Sequence, residues 1–149
     1  MESQGGFLIT RVKQVGGRVF ERILAERGVE AFNGAQGRIL YVLWQGDGVP
    51  ISALSRDTGL AMTTLTGMLD RMEAAGLILR ERSDRGDRRK VCIRLTDAAR
   101  ALQADYDAVA REMGEIYYAG FSAAEIAQFE GYLARVLSNV EARLARREG

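Results

Sequence analysis

The feature that most constrains the fold is the stretch of residues 60–96, where the spacing of apolar residues changes from helical to extended. Its first half repeats apolar residues at the spacing of one helix face, namely Leu65, Met68, Leu69 and Met72. Gly76 follows, at a place where the end of a helix favours a left-handed residue. Residues 77–81 and 91–96 then alternate apolar with polar side chains, as half-buried strands do. The stretch therefore predicts a helix followed by a two-stranded hairpin.

The loop between the two predicted strands, residues 82–90, is rich in arginine. Between Arg80 and Arg94 there are seven basic and three acidic side chains, a local charge of +4, whereas the whole chain carries only +1. A basic patch on a mildly acidic remainder indicates that one surface meets phosphate. The alternative is a solvated hairpin of mixed charge.

The predicted helix carries small or polar side chains away from its apolar face. They are Thr63, Gly67 and Asp70 opposite that face, and Thr64, Thr66 and Arg71 on its flanks. Short hydroxyl side chains let a helix approach base pairs in the major groove, so the three threonines are candidate DNA contacts. The alternative is that they only satisfy a solvent-facing surface. Two roles stay open for Arg71: phosphate contact, or a local ion pair with Asp70 or Glu73.

Two shorter helices are predicted before this one. Asn33 and Gln36 form a capping box for a helix over residues 34–44, and a helix over residues 51–58 ends at Gly59. A short helix, a glycine-containing turn and a second helix form the helix-turn-helix pattern. On the outer side of the short helix, Ser52 and Arg56 are weaker candidates for phosphate contact.

Together these segments resemble the winged helix-turn-helix of the MarR family of transcription regulators. The matching residues are Gly59-Leu60, the threonine run, Leu65, Asp70-Arg71, Glu73, Gly76-Leu77, Asp84, Asp87-Arg88, Val91 and Leu95-Thr96. The family's wing commonly has the pattern Asp-Pro-Arg-Asp-Arg-Arg, and in this chain Arg85 and Gly86 replace the proline and the first arginine. By this resemblance one arginine enters the minor groove.

Because the residue at that position is Gly86, Arg85 or Arg88 is the candidate for the minor groove, oriented by the neighbouring aspartates. Alternatively, Arg88 braces the hairpin, as an arginine there does in some relatives. Arg89 and Lys90 are the candidates for phosphate contact.

Long apolar stripes also mark three terminal helices, predicted near residues 7–26, 97–119 and from 123 onward. They expose more apolar surface than the small DNA-reading unit could cover, which predicts a homodimer. A closed monomeric bundle is the alternative. The expected fold class is mainly α (α+β): one MarR-like domain over residues 1–149, with a winged-helix lobe with a two-stranded wing at about 30–96 and dimerisation helices at about 1–29 and 97–149.

Composition argues against an enzyme or a metal site. The chain has no histidine and a single cysteine, and it shows no phosphate-binding glycine loop. We therefore expect no cofactor, no metal and no catalytic residues, and we expect Cys92 to be buried and inert. No apolar run or basic leader indicates a membrane or secreted protein, so the expected location is cytoplasmic.

The expected function is a homodimeric repressor that binds a near-palindromic operator on double-stranded DNA. The resemblance also implies a small aromatic or phenolic, anionic effector, for which Arg11, Arg18, Tyr41 and Trp44 are candidate contacts. The alternative is that the two aromatic residues belong to the core and the two arginines are solvated. A different class of function is a winged helix that binds protein and has lost sequence-specific DNA binding, since Gly67 and Gly86 both remove expected contacts.

Overall fold

The computed structural model describes residues 2–82 and 90–147. The chain divides into two compact units, Met1–Arg111 and Glu112–Gly149. The predicted contacts Arg85, Arg88 and Arg89 lie outside the described residues.

The described residues contain seven helices and three strands. The helices are α1 (Gly5–Glu26), α2 (Gly34–Gln45), α3 (Ile51–Thr58), α4 (Met62–Ala74), α5 (Asp97–Ala101), α6 (Gln103–Tyr117) and α7 (Ala123–Arg147). The strands are β1 (Val49–Pro50), β2 (Ile78–Arg82) and β3 (Val91–Leu95). This mainly helical fold with a small antiparallel sheet confirms the expected fold class.

The sheet has three strands where two were predicted. Its order is β1-β3-β2, with all pairs antiparallel, and β1 pairs Val49 with Ile93 and Pro50 with Cys92. Two residues are too few to show an alternating pattern, and a proline directly before Ile51 is typical of the start of a helix. Proline is nevertheless tolerated on an edge strand, where its missing N–H is not needed for the ladder.

Helix caps formed by local side chains confirm several predicted boundaries. Asn33 accepts a hydrogen bond from the Gln36 N–H at 2.8 Å, and the Gln36 side chain accepts one from the Asn33 N–H. Thr96 caps α5 by accepting from the Ala99 N–H, and Ser122 with Glu125 forms a reciprocal box at the start of α7. These caps bind backbone N–H groups that the first helical turn cannot satisfy.

One predicted helix is divided in two. The helix expected over residues 97–119 consists of α5 and α6, and it ends earlier than predicted, at Tyr117. At the junction the Leu102 N–H donates to the Ala99 carbonyl at 3.1 Å, three residues back instead of four. Such a tightened turn commonly ends an α-helix, and the apolar spacing continues across it, which is why the pattern did not reveal the break.

The core of the first unit joins α2, α3 and α4 to the sheet. Its fully buried side chains include Ile39, Leu40, Leu43, Leu54, Leu65, Leu69, Met72, Ile78 and Ile93. Each such side chain contributes about 1.5–3 kcal/mol by leaving water. This core fixes the positions of α3, α4 and the sheet relative to one another.

Apolar side chains remain exposed on α1 and on α7. On α1 they are Phe7, Leu8, Ile9, Val12 and Val15, and on α7 they are Phe129, Tyr132, Leu133, Val136, Leu137, Val140 and Leu144. No helix among residues 2–82 and 90–147 is both long and apolar enough to span a bilayer.

Candidate nucleic-acid interface

The turn between α3 and α4 is held by hydroxyl side chains. The Ser55 hydroxyl donates to the Leu60 carbonyl at 2.6 Å, and Thr58 donates to the Leu54 carbonyl while accepting from the Leu60 N–H. Between them Gly59 has φ +75°, which favours glycine because it lacks a Cβ. The direction in which α4 leaves α3 is therefore fixed by short, local bonds.

The two faces of α4 are those predicted. Leu65, Met68, Leu69 and Met72 are all buried, whereas Thr63 and Thr64 are exposed. Ala61 supplies no side-chain cap to this helix. The start of α4 therefore presents two hydroxyl groups and uncapped backbone N–H groups, which suit base edges and phosphate oxygens.

Thr66 and Gly67 limit what the middle of α4 can contact. The Thr66 hydroxyl donates to the Met62 carbonyl at 2.8 Å. Toward another molecule Thr66 can therefore only accept a hydrogen bond or contact it with its methyl group. A Cβ added at Gly67 would meet no atom within 4 Å. No described part of the chain therefore requires glycine there.

Two acidic residues on α4 are bound by an arginine of the sheet. Arg80 on β2 donates to Asp70 and to Glu73, each at 2.8 Å. The local pairing considered for Arg71 is therefore wrong, because its two candidate partners bind Arg80 instead. Arg71 is exposed, and within the described part of the chain no ion pair or hydrogen bond involves its side chain. It is available for phosphate.

Of the predicted wing contacts, Lys90 alone falls in the described residues. It is exposed and directly precedes β3. Within the sheet, Arg94 on β3 donates to Glu81 on β2 at 2.7 Å, and both side chains are about half exposed. At least one basic residue of the sheet is therefore already paired with an acidic residue of the same sheet.

The two α3 candidates are exposed, but they differ in availability. Ser52 faces solvent, and the Arg56 Nε lies 3.1 Å from the Asp57 carboxylate. Both side chains of that pair are largely exposed, so water and salt screen it. Arg56 can exchange this partner for a phosphate at little cost.

The candidate effector residues lie on α1 and α2 and differ in exposure. Arg11 and Arg18 are exposed on α1, and Tyr41 is about half exposed. Trp44 is half-buried and donates from Nε1 to the Ala99 carbonyl at 3.1 Å, as a core residue would. A cleft of about 440 Å³ at the end of α1 is lined by other residues: Glu21, Leu24, Ala25, Val29, Glu30, Phe32, Asn33 and Gln36.

Tyr106 is the centre of an aromatic cluster that fills the space beside Tyr41 and Trp44. Its ring centroid lies 5.8 Å from that of Tyr41, 5.3 Å from that of Trp44 and 6.0 Å from that of Phe20. Burial raises the pKa of Tyr106 above its ordinary value; Tyr41 and the carboxylate of Asp107 raise it further. These aromatic residues therefore pack mainly against one another.

Sequence reasoning missed Arg80 and Asp47. Arg80 lies on the same side of β2 as buried Ile78. A charged side chain that is partly buried needs an oppositely charged or hydrogen-bonding partner, so the strand alternation could have indicated an ion pair for Arg80. Asp47 accepts hydrogen bonds from the Leu95 N–H and from Arg100, both at 2.8 Å. Both partners lie about fifty positions later in the sequence, so no local pattern indicates them. Among the described residues there is no cluster of three or more side chains that could hold a metal ion.

Comparison with known proteins gives one family. Residues 32–91 match the model of the MarR family. The HTH-type transcriptional regulator TtmR of Methylorubrum extorquens (strain PA1) is 32% identical over 114 residues, which are 76% of this chain and 56% of TtmR. The chain thus spans just over half the length of that relative.

Solved structures with the same fold include two of DNA-binding proteins. A cysteine-to-serine mutant of MarR from E. coli, complexed with operator DNA, has a TM-score of 0.78 and 24% identity, covering 89% of this chain and 92% of that chain. Bordetella bronchiseptica BpsR, whose DNA binding is regulated by 6-hydroxynicotinic acid, has a TM-score of 0.77 and 25% identity, covering 89% and 91%.

Proposed function

This chain belongs to the MarR family, and from that premise we propose that it is a transcriptional regulator that binds double-stranded DNA as a homodimer. The observation that carries the proposal is the division of α4 into a buried apolar face and an exposed face with Thr63, Thr64 and Arg71. A helix held in this way, beside a basic hairpin, suits insertion into a major groove. Members of this family are transcription regulators and not enzymes.

In the proposed complex, α4 contacts base edges and the hairpin contacts the backbone. Thr63 and Thr64 offer hydroxyl and methyl groups to bases, Thr66 offers its methyl group, and Arg71 contacts phosphate. Ser52 and Arg56 on α3 add backbone contacts. On the hairpin, Arg85 or Arg88 enters the minor groove, and Arg89 and Lys90 contact phosphate.

The homodimer is supported by the apolar side chains left exposed on α1 and α7. Faces of this size on a monomer call for a partner, and a second copy is the economical one because it also duplicates α4. Two copies of α4 would then read two half-sites about one helical turn apart. A near-palindromic operator follows from that symmetry.

We further propose that the regulator acts as a repressor, in the cytoplasm, by occupying a promoter, and that a small aromatic anion releases it. Regulation of BpsR by 6-hydroxynicotinic acid is the precedent, and it is a property of that protein. Arg11, Arg18, Tyr41 and Trp44 remain the candidate contacts. Since the aromatic cluster is filled by its own rings, an effector would have to displace Tyr41, the most exposed of them.

One experiment tests the core of the proposal. The full chain is incubated with a pool of random duplexes and with the DNA upstream of its own gene, and bound DNA is separated and sequenced. We expect enrichment of a two-fold symmetric motif. Enrichment of no motif, with binding no tighter than to random duplex, would overturn sequence-specific DNA binding.

A second candidate function is a winged helix that binds another protein. The open space at Gly67 favours it, because a residue there would otherwise extend toward a base. The same enrichment experiment separates the two functions. A protein-interaction module would enrich no DNA motif, whatever its partner.

A further inference from the structure

The acidic side of α4 presents a problem for a helix that approaches DNA. Asp70 and Glu73 outnumber Arg71, the only basic residue of α4, and the Asp70 side chain is 67% exposed. Asp70 also follows Thr63 and Gly67 along the face turned away from the core. Carboxylates on that surface repel the phosphate charges that the interface has to meet.

Arg80 is placed to remove this repulsion. Its guanidinium donates from Nη1 to Glu73 Oε1 and from Nη2 to Asp70 Oδ1, both at 2.8 Å. Nη2 also lies 3.5 Å from the Thr66 carbonyl oxygen, one turn earlier. The Arg80 side chain is only 24% exposed, so it does not itself extend far into solvent. Its position on β2 opposite buried Ile93 holds it there.

We propose that Arg80 is a positioning residue of the DNA interface that shields phosphate from the charges of Asp70 and Glu73. A planar guanidinium can bond two carboxylates on separate turns at once, which the single ammonium of lysine does less well. With both acids bound by Arg80, Arg71 keeps its charge free for the duplex. The inference rests on the proposed function, because it concerns how α4 meets DNA.

The test compares four full-length proteins on a duplex that the wild type selects: wild type, Arg80→Gln, Asp70→Asn with Glu73→Gln, and the triple variant. Dissociation constants are measured at low and at moderate salt. We expect Arg80→Gln to weaken binding about tenfold at low salt, and less as salt rises, because salt screens exposed charges over about 10 Å at 0.1 M. The triple variant should bind within about twofold of the Asp70→Asn, Glu73→Gln protein.

Two results would overturn the shielding role. If Arg80 instead contacts phosphate, neutralising the two acids will improve binding equally with and without Arg80, and the loss from Arg80→Gln will persist in the triple variant. If Arg80 is only a structural brace, removing its partners will weaken DNA binding and lower the unfolding temperature as much as Arg80→Gln does. Arg80→Lys, which keeps the charge, should recover most of the affinity under the shielding role.

A matched ion pair provides the control. Arg94 and Glu81 bond to each other at 2.7 Å, on the opposite side of the same two strands from Arg80. Arg94→Gln should leave DNA affinity within about twofold at every salt concentration. Failure of the wild type to select any duplex would overturn the proposed function itself. If the wild type selects a duplex but the affinity loss from Arg80→Gln is the same with and without the two acidic side chains, only the role of Arg80 is overturned.

Discussion

At the scale of single residues, the threonines of α4 are not equivalent. Thr63 and Thr64 are exposed, and their hydroxyl groups have no internal partner among the described contacts, whereas the Thr66 hydroxyl donates to the Met62 carbonyl. A hydroxyl that is already bonded contributes little to base discrimination. Thr66 is therefore a matched control for Thr63, since both are threonines one turn apart on the same helix.

We predict that Thr63→Ala alters sequence preference more than overall affinity. Loss of one hydrogen bond to a base should cost about 0.5–1.5 kcal/mol on the selected duplex and much less on random duplex. Thr66→Ala should change both by less. Binding titrations on the two duplexes measure this, and equal losses for Thr63→Ala on both would show that Thr63 contacts no base.

Tyr106 predicts a loss of stability at alkaline pH. Its pKa is raised in the folded protein, chiefly by burial, so the folded state keeps the phenol proton longer than the unfolded state does. The stability from this group is complete below the unfolded pKa of about 10 and falls as pH rises through the folded pKa. Urea unfolding of wild type and Tyr106→Phe from about pH 8 to about pH 11 should show a shallower fall for the variant. Parallel curves would rule out Tyr106 as the source.

At the scale of elements, Asp47 links the turn before β1 to β3 and to α5. One carboxylate oxygen accepts from the backbone of Leu95 and from the side chain of Arg100, and the Asp47 side chain is only 14% exposed. Arg100 is 52% exposed, so its part of the interaction is screened by water. The backbone bond should therefore dominate.

We predict that Asp47→Ala costs about 2 kcal/mol of unfolding free energy, because it leaves the N–H of buried Leu95 without its partner. Arg100→Ala should cost less than about 1 kcal/mol. Urea unfolding at neutral pH measures both. If Arg100→Ala costs as much as Asp47→Ala, the ion pair and not the backbone bond holds this junction.

The basic hairpin should account for much of the salt dependence of DNA binding. Arg88→Ala with Arg89→Ala removes two candidate backbone contacts, which should make the slope of log affinity against log salt shallower by about 2. The control variant Arg94→Gln should leave the slope of log affinity against log salt unchanged, because Arg94 already binds Glu81. An unchanged slope for the double variant would exclude these two arginines as phosphate contacts.

At the scale of the whole molecule, the exposed apolar face of α7 predicts self-association. Leu137 and Val140 are 58% and 60% exposed, and glutamate at both positions should prevent a second copy from packing there. Asn139→Glu, at an exposed polar position of the same turn, is the control. Light scattering should give twice the chain mass for wild type and control, and the mass of one chain for Leu137→Glu with Val140→Glu. A monomeric wild type would contradict the homodimer.

Much of the fold followed from patterns confined to one segment. The capping box of Asn33 and Gln36, the faces of α4 and the existence of β2 and β3 depend on residues at most a few positions apart, and all are as predicted, with the strand ends within one residue. The strand β1 was missed because its two residues become a strand only by pairing with Ile93 and Cys92. The aromatic cluster was likewise invisible, since Tyr106 lies more than sixty positions from Tyr41 in the sequence.

Apart from β1 and the break between α5 and α6, the sequence by itself determined which segments are helical or extended, and which side of α4 is buried, because helix and strand periods are properties of neighbouring residues. Only the tertiary structure decided which partner each charged side chain takes. Asp70 has Arg71 beside it, yet it binds Arg80, because packing of β2 against α4 brings that guanidinium within 2.8 Å. A long side chain can reach several acids near it in sequence, and the choice among them depends on how the elements pack.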